Sequence, residues 1–230
     1  PQSEQVWRQS EKYSVPKIAF INKMDRTGAD FFGVVEAIQS TLGSNAVPLV
    51  IPLGAEEGFS GLIDLLSMKA VHYDEKDFGR SFREEEIPED LMEIARKWRN
   101  NLVEKSAEQD DAMLEKFLEE GDLSADEIIK ILRKATIERR ITPVYCGSAF
   151  KNKGIQRLLD GIIQFLPSPS DIPPIIHTHE DVHEKRMPSD DEAFSGLAFK
   201  AVVDKHMGKL MFTRIYSGTL RAGATVLNST

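Results

Sequence analysis

Apolar positions along the chain change period several times, and each change marks a different kind of element. Lys17–Ile21 is a short continuous apolar run, the pattern of a strand buried in a parallel sheet. Phe31, Val34, Val35, Ile38 and Leu42 recur at helical spacing behind Asp30, a good N-cap, and Gly43 supplies the stop. Val47–Leu53 reads as a further strand whose Pro48 and Pro52 argue for edge or terminal positions. Residues 3–13 read as the end of a helix.

The character then shifts. Gly54–Gly61 is a turn-rich join, Leu62–Tyr73 reads as a hairpin or strand, and Asp74–Ile87 is polar and charged. Pro88 opens a helix whose Leu91, Ile94, Ala95, Trp98 and Leu102 share one face. A second helix spans about Asp111 to Glu120, and Ser124 with Glu127 forms a capping box for a third. Ile141–Cys146 returns to strand, and Gly154–Leu166 carries the clearest helical pattern in the chain. A proline-rich stretch from Pro167 to Pro174 cannot continue that helix and reads as a semi-rigid linker. Beyond it, Leu197, Phe199, Ala201 and Val203 alternate, Leu210–Tyr216 and Arg221–Leu227 follow, and short turns separate them, as in a β-barrel or sandwich.

These patterns predict an α/β chain in three parts. Residues 1–170 form most of a parallel-sheet domain, interrupted by a mostly helical α+β insertion at about 44–139. Residues 171–192 form a linker, and 193–230 supply the first strands of a β-barrel domain. Pro1 at one end and the unfinished strand pattern of Val226–Thr230 at the other read as cuts through a longer protein.

Two loops carry the candidate chemistry. Asn22-Lys23-Met24-Asp25 follows the first strand, and Gly147-Ser148-Ala149 follows Val144-Tyr145-Cys146. Ligands of open α/β sheets bind at the carboxyl ends of strands, where both loops fall. A carboxylate suits guanine, whose N1–H and exocyclic amine are two parallel donors; Asp25 can accept both, and adenine offers neither. Asn22 has a donor and an acceptor, to contact the base edge and to tie neighbouring loops. Lys23 can lay its methylene stem over a ring while its ammonium stays wet. Small Ser148 and Ala149 let the backbone approach closely, with the Ala149 N–H placed for guanine O6. Taken alone, Asn22–Asp25 is equally an Asx turn closing a strand. The order strand, loop, helix, repeated twice, favours a nucleotide site.

At this point the chain resembles the translational GTPases, and within them the elongation factor G branch. The resemblance rests on Ile18–Arg26 and Cys146–Gly154, supported by Ile63-Asp64-Leu65, Leu166–Pro169 and Phe194–Lys200. It implies a P-loop-type GTPase sheet with an extra subdomain inserted, followed by a β-barrel second domain. It implies that Asn22, Lys23 and Asp25 form one guanine motif and Ser148, Ala149 and Phe150 another, binding GTP or GDP. It also implies a cytoplasmic monomer working on the ribosome, with translocation as its task; ribosome recycling, peptide release and ribosome protection are the alternatives within the family. The family's phosphate-binding loop, and with it the ligands of Mg²⁺ and of the attacking water, has no counterpart in these residues. No residue here is therefore assigned a catalytic or metal-binding role.

Charge adds one point. The net charge of −8 is carried by residues 56–140, which sum to −9 while the remainder sums to +1. Such a surface repels phosphate backbones, which argues against direct nucleic-acid binding and suits a basic protein partner. The resemblance makes that partner the ribosomal stalk protein; a non-catalytic acidic docking module is the competing reading. The single Cys146 excludes an internal disulfide. No run reaches the length of a membrane span. His179-Glu180-Asp181-Val182-His183 matches a zinc-peptidase helix motif. Its proline flanks and lack of an apolar face make it a solvated loop instead.

Overall fold

The computed structural model describes residues 2–77, 79–179 and 182–228, and they fall into two units that divide after Leu166. The first unit opens with α1 (Gln2–Lys12), followed by β1 (Ala19–Ile21) and α2 (Phe31–Leu42). Asp30 caps α2 by accepting from the Gly33 N–H at 3.0 Å, and Gly43 ends it in the left-handed conformation. The apolar run expected as one strand over Val47–Leu53 is two strands in two sheets. Strand β2 (Ala46–Pro48) belongs to one, and β3 (Val50–Leu53) to the other. Leu49 sits at the division: its N–H donates to the Val144 carbonyl and its carbonyl accepts from the Leu65 N–H, both at 3.0 Å. One residue is thus hydrogen-bonded toward both sheets, so the chain changes sheet without leaving a buried backbone group unpaired.

The first sheet has three parallel strands in the order β1-β7-β2, with β7 (Thr142–Cys146) central and buried throughout. The second is antiparallel: β3, β4 (Gly61–Asp64), β5 (Lys69–Tyr73) and β6 (Phe82–Glu85) in sequence order. The hairpin expected over Leu62–Tyr73 is present. Asp64 closes its turn by accepting from the Leu66 N–H at 2.9 Å. Strand β6 lies in the stretch read only as polar. Its four residues are all exposed, and its Arg-Glu-Glu run is typical of a charged outer strand rather than of an alternating one.

Three helices follow. The long α3 (Glu89–Ala107) begins after Pro88, α4 (Asp111–Glu120) ends at left-handed Gly121, and α5 (Ala125–Ile137) starts from the complete Ser124–Glu127 capping box. Hydrogen bonds from Lys116 and from Ser124 pull the half-buried Glu127 carboxyl down to about 2, so it stays ionised across the neutral range. After β7, α6 (Ile155–Phe165) completes the unit.

One continuous core joins both sheets and the helices. Phe32 of α2 stacks on Trp98 of α3 with ring centroids 5.3 Å apart. Arg157 of α6 pairs with Asp64 of β4 at 3.1 Å, pairs with Glu84 of β6, and lies over the Phe82 ring. The insertion is therefore packed into the unit that carries the parallel sheet. Among the described residues, no helix is long and apolar enough to cross a membrane.

The second unit contains a hairpin of β8 (Ile175–His179) and β9 (Val182–Arg186), within the stretch read as linker. A longer hairpin of β10 (Ser195–Asp204) and β11 (Gly208–Ser217) follows, in keeping with the alternating pattern. Arg221–Leu227, expected as a further strand, has no strand partner among the described residues and takes turn and irregular conformations.

Arg99 shows how the helices are fastened to the antiparallel sheet. Its guanidinium donates to the Leu65 carbonyl at 2.9 Å, the Leu123 carbonyl at 2.7 Å and Asp122 at 3.1 Å. Arg99→Ala leaves those carbonyls without a donor and is expected to cost about 2–3 kcal/mol in denaturant unfolding, with Arg99→Lys recovering only part because it lacks the fork. A cost below about 0.5 kcal/mol, the range of an ordinary surface change, would refute this role.

Candidate functional site

The candidate site begins with a register. Pairing of β1 with β7 sets Ala19 beside Val144, Phe20 beside Tyr145 and Ile21 beside Cys146. The last residues of both strands lie side by side, so Asn22 and Gly147 leave the sheet at the same level. Parallel strands send their following loops to the same end of a sheet. The two predicted motifs, more than 120 residues apart in sequence, meet there.

Two backbone contacts and one side chain fix their spacing. Gly147 donates to the Ile21 carbonyl at 3.0 Å, and Met24 donates to the Gly147 carbonyl at 3.1 Å. Asn22 supplies the third: its Oδ1 accepts from the Ala149 N–H at 2.9 Å and from the Lys23 N–H at 2.8 Å. Gly147 must be glycine on steric grounds, because a Cβ there would lie 2.2 Å from the Lys153 carbonyl oxygen. Met24 is the one member of its tetrapeptide without an assigned role, yet it is only 1% exposed and anchors the loop in the core.

Asp25 is half-buried beside this crossing, and Ser148 is buried. A hydrogen bond from the Ser148 hydroxyl, helped by the charges of Lys151 and Arg26, holds the Asp25 carboxyl below its ordinary range against the opposing effect of burial. Ionised, Asp25 is a pure acceptor with two oxygens, suited to a partner offering two donors. The Ser148 oxygen in turn accepts from the Lys151 N–H at 3.3 Å. Lys23 is exposed at the loop tip with a left-handed backbone (φ 64°), and Ala149 and Phe150 are exposed on the facing loop, Phe150 to 90%.

Every sequence-predicted site residue thus lies on these two loops. One detail differs from expectation: the Ala149 N–H, assigned to guanine O6, is engaged by Asn22. A base carbonyl would share that donor or displace the Asn22 oxygen. Asn22 accordingly ties the loops together, the second of its two expected uses.

Sequence reasoning missed three residues that hold the loops from below. The Glu56 N–H donates to the Met24 carbonyl at 3.0 Å, and its Oε1 accepts from the Gly28 N–H at 2.6 Å. Lys153, 2% exposed, donates from Nζ to the Phe59 carbonyl at 3.1 Å. Asn152 donates to the Gly79 carbonyl at 3.3 Å. Met24 had a signal, an apolar side chain in a polar loop; Glu56 had none, because its role depends on where the insertion returns in space.

The other candidate chemistries take different forms. Burial pushes the Cys146 thiol well up, away from nucleophilic reactivity. Of the zinc-peptidase match, Glu180 and Asp181 lie outside the described residues, while His179 and His183 fall on the two strands of a hairpin, not on one helix face. Among the described residues, no group of three or more His, Cys, Asp or Glu is placed to hold a metal ion.

Comparison with known proteins bears on the same two loops. The family model for the elongation factor Tu GTP binding domain matches residues 1–168, and that for elongation factor G domain 2 matches residues 193–230. A crystal structure of a Thermus thermophilus protein superposes with a TM-score of 0.74 at 28% identity, over 96% of this chain and 30% of its own. The chain therefore spans less than a third of that neighbour's length.

Removing the Ser148 hydroxyl tests the electrostatics. In Ser148→Ala, the Asp25 pKa is expected to rise toward an ordinary carboxylate value, measured by NMR titration of its side-chain carbon. The stability contributed by a depressed carboxylate is present above its unfolded pKa and lost as pH falls through the folded one. In the variant the folded and unfolded pKa values approach each other, so that acid-dependent loss should shrink. An unmoved Asp25 titration would contradict the assignment.

Proposed function

The chain belongs to the translational GTPases through its elongation factor Tu-type GTP-binding domain, and on that premise we propose that its two loops read the guanine base of GTP and GDP. Asp25 accepts from guanine N1–H and the exocyclic amine. Asn22 holds the loops at the spacing the base needs. Lys23 covers one face of the ring, and Ser148, Ala149 and Phe150 form the opposing rim. The observation that carries this reading is the Asn22–Ala149 hydrogen bond between loops that leave two strands paired in register, which sets both motifs at the shared end of the sheet.

For the whole protein we propose a GTP-dependent conformational cycle on the ribosome, with translocation of tRNA and mRNA as its task. The match to elongation factor G domain 2 supports that branch. Recycling, release and ribosome-protection members of the family fit the same residues. The insertion, net −9 over residues 56–140, then offers an acidic face to a basic protein partner, which in this family is the ribosomal stalk protein.

Hydrolysis belongs to other residues. Phosphoryl transfer depends on groups that position phosphates, metal and water, and neither loop supplies them. GTP incubated with these 230 residues alone should break down no faster than in buffer; turnover by protein free of contaminating GTPase would contradict that. In the whole protein, Asp25→Asn should weaken GTP by about a hundredfold: the amide keeps one acceptor for guanine N1–H but loses the charge and sets an NH2 donor against the exocyclic amine. It should also strengthen xanthosine triphosphate, which carries a carbonyl in place of the amine. Unchanged GTP affinity would refute base reading by Asp25.

A further inference from the structure

The connection between β3 and β4 touches both base loops at once. It is a single helical turn, Glu56–Gly58, followed by Phe59. On one side Glu56 is bonded through its N–H to Met24 and through its carboxylate to the N–H of Gly28, the far end of the Asn22–Gly28 loop. On the other, the Phe59 carbonyl receives the buried ammonium of Lys153, whose N–H and carbonyl are exchanged with those of Ser148 at 3.0 and 2.9 Å. Four residues of the insertion therefore span the underside of the site.

Backbone strain concentrates at the same place. Of the six non-glycine residues with a left-handed backbone among the described residues, Lys23, Glu56 and Asn152 lie in the two loops or in this turn. Such conformations persist only where surrounding contacts hold them. A buried ammonium is likewise retained only while its acceptors are in place. Each base loop is thus kept in an unfavourable shape by a partner from the insertion.

We propose that this turn is a strap that retains the bound nucleotide, with Glu56 and Lys153 as positioning residues that slow its release. The inference rests on the guanine-binding reading above. Neither side chain touches the base, so both act through loop geometry: Glu56 through Met24 and Gly28, Lys153 through Ser148. Losing either frees a loop to open, which speeds dissociation while leaving Asp25 and the preference for guanine unchanged.

The test is release of N-methylanthraniloyl-GDP from the whole protein, followed by stopped-flow fluorescence. Glu56→Ala and Lys153→Met should each release nucleotide about tenfold faster, the effect of losing one hydrogen bond made by a charged group. Glu56→Gln keeps an acceptor oxygen for the Gly28 N–H and should release at close to the unsubstituted rate. The ratio of GDP to xanthosine diphosphate affinity should be the same in all of them. A Glu56→Ala rate within about twofold of the unsubstituted protein, at equal thermal stability, would overturn the strap. Loss of guanine preference in that variant would also overturn it. Should the unsubstituted protein bind no guanine nucleotide, the base-reading assignment fails and the strap with it; binding with unaltered release sinks the strap alone. Lys153→Met risks misfolding because its site is buried. Hydrogen exchange at the Gly28 amide in Glu56→Ala is therefore the second readout, expected to quicken by about tenfold.

Discussion

The parallel pairing of β1 with β7 is the constraint on which the rest of the molecule depends. Ile21 opposite Cys146 brings two distant loops to one level, and a slip of one residue would turn every side chain of β1 to the other face. The burial of β7 enforces the register, because each of its residues is covered and leaves no freedom to slide. Asn22 then converts a shared level into a fixed distance by accepting the Ala149 N–H. Asp25 and Ser148 come onto neighbouring loops as a consequence, and the Ser148 hydroxyl lowers the Asp25 pKa.

The insertion extends that constraint instead of standing apart from it. Leu49 bonds toward both sheets, Phe32 stacks on Trp98, and Arg157 ties α6 to β4 and β6. Residues that depart from the parallel sheet for nearly a hundred positions return to support its loops from beneath, through Glu56, Phe59 and Gly79. A domain inserted between two strands of a nucleotide sheet has its ends next to the site by topology. Here it also shares the core.

Local chemistry was readable from residues alone wherever a signal was local. Asp30 and Gly43 bound α2, Ser124 and Glu127 start α5, and both loops fall where a continuous apolar run ends. The failures share a cause. The division of Val47–Leu53 into strands of two sheets turns on hydrogen bonds from Leu49 to Val144 and Leu65, which no local pattern encodes. Strand β6 escaped because its exposed charges erase alternation. Glu56 and Lys153 look like surface charges in sequence, and only the return of the chain gives them partners. The Ala149 N–H shows the same limit at smaller scale, since its acceptor is a side chain from the opposite loop.

Whether the two loops form the one guanine-reading surface proposed above can be seen directly. The decisive experiment is a crystal structure of the whole protein with GDP. Both Asp25 carboxylate oxygens are expected at about 3 Å from guanine N1 and the exocyclic nitrogen, with the base between Lys23 and the Ala149–Phe150 rim. A base seated elsewhere, or an Asp25 turned away from its edge, would show that the loops do not read guanine.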